Sequence, residues 1–235
     1  MRVMYVYHSC FLAETEKSYY LFDYFQGKLP PLKSEKPIVV LASHSHHDHY
    51  NPAVFSMLQK MGMQQILPVL SSDIPPETRP AELPCRVVSP GERCHLPQGQ
   101  VLTAYRSTDL GAAFLIQDGD DWFYHAGDLN DWVLEGEPEE DNRRMTQAYR
   151  QEIDRLAQDL QGKTLSAAFV VLDPRQEEHY HRGLLYFLQH VPCENVYPMH
   201  NWEHPEIISR FLSEYPQYSS RIAAAEENKI QEDCL

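Results

Sequence analysis

The run Ile38-Val39-Val40-Leu41-Ala42-Ser43-His44-Ser45-His46-His47-Asp48-His49 decides how the rest of the chain is read. Its first five residues are apolar and mostly β-branched or aliphatic, which suits a buried strand. Just beyond it, Asn51 has the side chain of a helix N-cap and Pro52 suits the first helical position. Val54, Phe55, Leu58 and Met61 then share one helical face until Gly62 ends it. The histidines and the aspartate therefore occupy a strand-to-helix turn. There His44 and His46 can point one way while Asp48 and His49 turn to a neighbouring point, so one segment can supply two adjacent metal positions. Neutral imidazoles and carboxylates suit zinc or another borderline divalent ion, and water held by such an ion becomes hydroxide near neutral pH. A histidine-rich surface loop that binds metal adventitiously is the plain alternative, but it would need neither the apolar strand before it nor the capped helix after it.

Outward from this turn, short apolar runs predict strands at Val3 to Tyr7, Tyr19 to Asp23, Ile66 to Leu70, Val101 to Tyr105, Ala112 to Gln117 and Trp122 to His125. Asp118-Gly119-Asp120-Asp121 joins the last two as a hairpin, because Gly and Asp tolerate positive φ. Ala167 to Leu172 and Asn195 to Met199 are further strands, alternating with helices from about Pro138 to Leu160, His181 to His190 and Pro205 to Tyr215. Ser71 to Pro84 reads as a long surface loop, and the polar end Glu226 to Leu235 is expected to fray. The order, strands first and then strands mixed with helices in two passes, predicts a layered α/β arrangement with sheets face to face and helices outside.

With 235 residues, 43% hydrophobic and 23% charged, the chain has the balance of a globular protein and nothing that forces a split, so one domain over residues 1–235 is expected. A net charge of -14 sets little against a phosphate backbone and argues for a small-molecule substrate and against a nucleic-acid partner. No apolar run approaches the ~20 residues of a spanning helix, and Met1 to Tyr5 runs directly into a strand-like segment; no membrane association and a cytoplasmic location are expected. The cysteines Cys10, Cys85, Cys94, Cys193 and Cys234 are scattered, without a Cys-x-x-Cys pair, and indicate neither a disulfide framework nor a thiolate metal site. Oligomeric state is not legible.

His-x-His-x-Asp-His after an apolar strand resembles the signature of the metallo-β-lactamase superfamily, and the likeness extends over most of the chain. It implies a four-layer αββα sandwich, here of mixed α/β (α+β) class, and a centre that later segments complete. Phe123-Tyr124-His125-Ala126-Gly127-Asp128 matches the strand ending in Gly-Asp, which makes Asp128 a bridging carboxylate. Val196-Tyr197-Pro198-Met199-His200 matches the strand that delivers the last ligand. Tyr7-His8-Ser9-Cys10-Phe11-Leu12 followed by Leu21-Phe22-Asp23 is similar to the opening of the branch that contains ascorbate-6-phosphate lactonase. One position departs from the pattern. Where the family places its third histidine this chain has Arg106-Ser107-Thr108-Asp109-Leu110-Gly111, with Ser107 at the histidine's place. Serine is a poor zinc ligand, so either water completes the first site or Asp109 reaches across two positions to do so.

On this resemblance His44 and His46 hold a first ion, Asp48, His49 and His200 hold a second, and Asp128 bridges them. The cofactor is one or two divalent ions, zinc first with manganese or iron as alternatives. Asp48 serves as ligand and catalytic proton acceptor. His8 is either a further group facing the metals or a hydrogen-bonded core histidine, and Asp23 suits a carboxylate that orients a ligand. Asn130, Asp131 and Trp132 leave the site on the loop after Asp128, and Asn201 and Trp202 follow His200. Substrate contact is open to all of them, with packing the commoner role for the tryptophans. Arg175 could grip a carboxylate or phosphate, or simply pin its loop to Asp173. The acidic run Glu135 to Asp141 precedes a helix and suits the positive end of its dipole. The reaction expected is attack by metal-held hydroxide on a small lactone, ester or phosphorylated substrate. The alternatives are a small-molecule phosphodiesterase, a non-catalytic metal-binding module with a decayed first site, and a redox protein holding two irons in the same ligands.

Overall fold

The apolar runs form strands whose alternate residues pack on opposite faces, and this alternation builds two sheets. The computed structural model describes residues 1–224 and 226–227. In one sheet β1 (Arg2–Tyr7), β2 (Cys10–Glu14), β3 (Tyr19–Phe22), β4 (Ile38–Ala42), β5 (Ile66–Ser71) and β6 (Arg86–Val88) lie side by side in chain order. The short β13 (Glu226–Glu227) pairs with the outer edge of β1. In the other, β7 (Arg93–His95), β8 (Val101–Arg106), β9 (Ala112–Asp118), β10 (Asp121–His125), β11 (Leu165–Val171) and β12 (Cys193–Met199) run from one edge to the other. β3 to β6 are parallel, as are β10 to β12.

β4 shows how both faces are used. Val39 and Leu41 point between the sheets, in one core with Phe11, Phe22, Phe123 and Phe169. Ile38, Val40 and Ala42 point outward onto α1 (Ala53–Lys60), where Val54, Phe55 and Leu58 cover them. Burial of each such side chain contributes roughly 1.5–3 kcal/mol. On the second sheet, α2 (Glu139–Asp159) packs against β8 and against α3 (Arg182–His190), which rests on β11. α4 (Glu206–Glu214) adds Ile207 and Phe211 to the same core. The result is helix, sheet, sheet, helix, the expected layered sandwich.

The helices fall within a residue or two of their predicted bounds, and the Asn51 carboxamide accepts the Ala53 amide at 3.0 Å as a cap would. The hairpin at Gly119-Asp120 also forms, with Asp118 paired to Asp121 and Gly119 at φ +64°. Two differences have physical reasons. β2, β6 and β7 had no clear signal, because β2 is an apolar run without alternation and the other two are three residues long and carry Arg86, Arg93 and His95. The loop after β5 is interrupted by a 3₁₀ turn at Pro76–Thr78, where proline sets φ. Of the expected frayed end, Asn228 to Leu235 lies outside the described residues. Among the described residues the four cysteines are free thiols, and no helix is long and apolar enough to cross a membrane.

One topological consequence places the site. Strands β1, β3, β4, β8, β10, β11 and β12 are followed by His8, Asp23, His44, Asp109, Asp128, Asp173 and His200. Both sheets thus deliver polar side chains from the carboxyl ends of their strands to a common edge.

Candidate metal centre

The turn after β4 is held by a buried carboxylate. Asp23 Oδ1 accepts the Ser43 amide at 2.7 Å, while Asp23 Oδ2 accepts the Ser43 hydroxyl at 2.6 Å and lies 2.8 Å from His49 Nδ1. With the hydroxyl committed to Asp23, Ser43 Oγ is an acceptor for His44 Nδ1, 2.9 Å away. His200 Nδ1 lies 2.9 Å from Asp173 Oδ2. These bonds assign the proton to Nδ1 of His44, His49 and His200 and leave each Nε2 lone pair pointing into the centre. Burial, reinforced by neighbouring His49, pushes His44 down to about 3 and keeps it neutral. Burial would lower His49 too, but Asp128 and Asp23 outweigh it and raise that histidine to about 9, so a cation takes its Nε2 by displacing a proton. Burial raises Asp173, yet bonds from His200 and Arg175 prevail and hold it at about 2.

Two groups of donors result. His8, Asp48, His49 and His200 offer ligand atoms within 4.8 Å of one another, and so do His44, His46, Asp109 and Asp128. Asp128 stands between them. Its Oδ2 is 3.5 Å from His44 Nε2, and its Oδ1 is 3.2 Å from His49 Nε2 and 3.4 Å from His200 Nε2. His8 Nε2 is 3.5 Å from Asp48 Oδ2, and Asp109 Oδ2 is 3.5 Å from His46 Nδ1. His8 Nε2, His49 Nε2, His200 Nε2 and Asp128 Oδ1 are all buried without a hydrogen-bond partner. Four orphaned donors and acceptors converging on one point are unfavourable for a protein alone, and a divalent cation satisfies all of them. The residues present fit a metal.

The cluster His44, His46, Asp48 and His49 is thus brought together with the distant Asp128 and His200, with His8 beside Asp48. At the departing position Ser107 is not among the donors; its hydroxyl accepts the Asp109 amide at 3.1 Å and so helps to aim Asp109. His125 is a core histidine: it stacks on Phe22, its Nε2 donates to the Ser9 carbonyl at 2.9 Å, and its Nδ1 accepts the Gly127 amide at 3.0 Å.

Above the donors opens a cleft of about 470 Å³. Arg175 lines it, with Nε 3.0 Å from Asp173 Oδ1 and the guanidinium 4.5 Å over the Trp202 ring, so it both pins its loop and faces the cleft. Trp132 and Trp202 form cleft walls; Trp132 also packs against the core, and its Nε1 holds the Asp128 carbonyl at 2.9 Å. Asn130 and Asn201 are corrected. Asn130 is buried, donating to Gln176 at 2.7 Å and pressed against Gly183, because the chain turns inward directly after Asp128. Asn201 faces a different groove, beside Tyr5 and Tyr197, since left-handed residues at His200 and Trp202 swing it away. Sequence reasoning missed Thr108, Leu134, Glu137, Asn142 and Met145 as cleft residues. Their one signal was position, on loops leaving Asp109 and Asp128 and on the first turns of α2.

Comparisons with known proteins bear on this arrangement. Residues 2–141 match the family model of the beta-lactamase superfamily domain. No curated protein matched the sequence. Among solved structures, the metallo hydrolase Igni18 from Ignicoccus hospitalis is similar at TM-score 0.62 and 16% identity, covering 96% of this chain and 94% of that one. A proposed metal-dependent hydrolase from Parabacteroides distasonis is similar at TM-score 0.61 and 13% identity, covering 95% and 91%. CmlA, a diiron β-hydroxylase from Streptomyces venezuelae, is similar at TM-score 0.57 and 13% identity; 93% of this chain is covered, but the chain spans only 51% of that protein. At such identities the likeness concerns the fold.

Proposed function

Because the chain belongs to the metallo-β-lactamase superfamily, we propose that it is a metal-dependent hydrolase of small molecules with two divalent-ion positions. His44, His46, Asp109 and Asp128 hold one ion, and His8, Asp48, His49, His200 and Asp128 hold the other. The observation that carries this reading is Asp128, whose two carboxylate oxygens face the two donor groups separately. Zinc suits the second position, where three imidazoles stand beside two carboxylates; the first, with two of each, accepts zinc, manganese or iron.

When bound, such ions supply Lewis acidity and lower the pKa of water beside them. The chain's own residues do the rest. Asp23 and Asp173 fix the tautomer and direction of His49 and His200. Asp48 reaches both the cleft floor and His8, so its carboxylate is placed to take the proton of the attacking water. Trp132 and Trp202 narrow the cleft around the scissile bond and limit access of bulk water. Asp109 supplies what Ser107 cannot, which favours a working first position over a decayed one. The likeness of the opening strands to the ascorbate-6-phosphate lactonase branch is the sole ground for including lactones among the substrates. The scattered free thiols and acidic balance suit a cytoplasmic enzyme that acts on neither nucleic acid nor membrane.

Metal analysis combined with a panel of lactones, esters and phosphodiesters tests the reading. His49→Ala and Asp128→Asn should each lose metal and turnover together, and a variant that kept both rejects the assignment. One loosely held ion with a silent panel supports the binding module instead, and a visible absorption band supports a pair of irons.

A further inference from the structure

Exposed apolar side chains line the cleft of this acidic protein. Among the described residues, the large hydrophobic side chains with the greatest exposure are Met1, Leu110, Leu134 and Trp202, at 43, 41, 40 and 36%. Two of these four, Leu134 and Trp202, line the metal cleft. Trp132 and Met145 continue the apolar wall inward. Exposed apolar groups scattered singly need no explanation, but their gathering at one opening marks a binding surface.

The charges at the same mouth are one-sided. Glu137 and Asp141 line the outer cleft and belong to neither donor group. Among the described residues lining the cleft, Arg175 is the one arginine or lysine, and its Nε and Nη2 are already bonded to Asp173. A phosphomonoester binds through several charge-assisted bonds from cations with free donors. Beyond the ions of the cleft floor, here it would meet two outlying carboxylates and a guanidinium whose fork is engaged.

Resting on the hydrolase reading above, we propose that the substrate is an uncharged or cationic ester, lactone or amide. Its aryl or medium-length acyl part lies on Trp132, Leu134, Met145 and Trp202, and phosphorylated small molecules are poor ligands. A volume of about 470 Å³ accommodates a molecule of that size. The carbonyl then meets the donor groups at the cleft floor, and a cationic substituent, where present, faces Glu137 and Asp141.

The test uses binding, so that it does not depend on turnover. Trp122 lies outside the cleft, so the zinc-loaded Trp122→Phe protein reports through Trp132 and Trp202 fluorescence. It is titrated with phenylacetamide and, separately, with phenyl phosphate, a matched aryl pair that differs in charge. Phenylacetamide should bind the more tightly. Leu134→Ser or Met145→Ser, checked for unchanged zinc content, should weaken phenylacetamide about tenfold. Glu137→Gln combined with Asp141→Asn should tighten phenyl phosphate alone. Phenyl phosphate binding as tightly as the amide or more so overturns the proposal; so does indifference of the amide to both apolar substitutions. If the amide binds as expected while no ester, lactone or amide is turned over, the inference stands and the hydrolase reading fails.

Discussion

At the scale of single residues, the centre depends on groups that touch no metal position. Asp173 is fully buried, receives His200 and Arg175, and determines which imidazole nitrogen of His200 faces the centre. Asp173→Asn keeps the shape but can present an amide N–H to Nδ1, which reverses the tautomer. We expect zinc affinity at the second position to fall about 10–100-fold, measured by competition with a chromophoric chelator; unchanged affinity would show that packing alone orients His200. Cysteine reactivity gives a second test, away from the site. Burial pushes the Cys193 thiol up to about 12, although the backbone of Asn195 and the charge of Arg221 act the other way. A raised folded-state value means this thiol favours the folded protein below the unfolded-state pKa of about 8.5, and that its contribution fades as pH climbs toward 12. At pH 8.5 iodoacetamide should therefore label Cys193 only upon unfolding, as read by peptide mass spectrometry. Labelling in the native protein at the rate of a free thiol contradicts the burial.

At the scale of elements, the strand-to-helix turn after β4 is clasped from the second sheet by two loops. Gly111 precedes β9 at φ +67° and Gly127 follows β10 at φ +51°. The Ala112 amide donates to the Ser43 carbonyl at 2.9 Å. A Cβ on Gly127 would come within 2.6 Å of Ser43 Cβ, and one on Gly111 within 2.0 Å of the Ser43 carbonyl oxygen. The close approach is what brings Asp128 and Asp109 to the histidines that follow β4. Gly127→Ala combines a left-handed backbone with a steric clash, and should destabilise the fold by ~1–3 kcal/mol and reduce metal occupancy. A urea midpoint and zinc content equal to those of the unsubstituted protein would refute this account.

At the scale of the whole molecule, parallel strands in both sheets send their carboxyl ends to one edge, so the edge concentrates polar groups that the protein alone leaves unpaired. Binding a cation there is coupled to folding. Removing metal with EDTA should lower Tm by several degrees, and zinc in excess of the chelator should restore it, as followed by calorimetry. A metal-free protein with the Tm of the loaded one would mean that the orphaned atoms find other partners.

Much of this was legible beforehand, for reasons that differ by residue. Strand β4, the helix after it and the cluster His44 to His49 were readable because their determinants are local: a continuous apolar run, a cap, and closely spaced ligands. Asp128 and His200 were legible through likeness, since a strand ending in Gly-Asp or in histidine is itself a short pattern. Local signal ended at Ser107. The linear order allowed water or Asp109 to complete the first position, and only the closure of the β8–β9 turn onto His46 placed a carboxylate there. The same holds for His8, whose role depends on a hairpin meeting β12 across the sandwich, and for Trp132, Leu134 and Trp202, whose hydrophobicity suits core and cleft wall equally. By itself the sequence determined the elements and the chemistry of the donors, because periodicity and residue type act over a few positions. Which donors share an ion, and what surrounds them, depended on packing two sheets face to face, which brings into contact residues that chain connectivity keeps far apart.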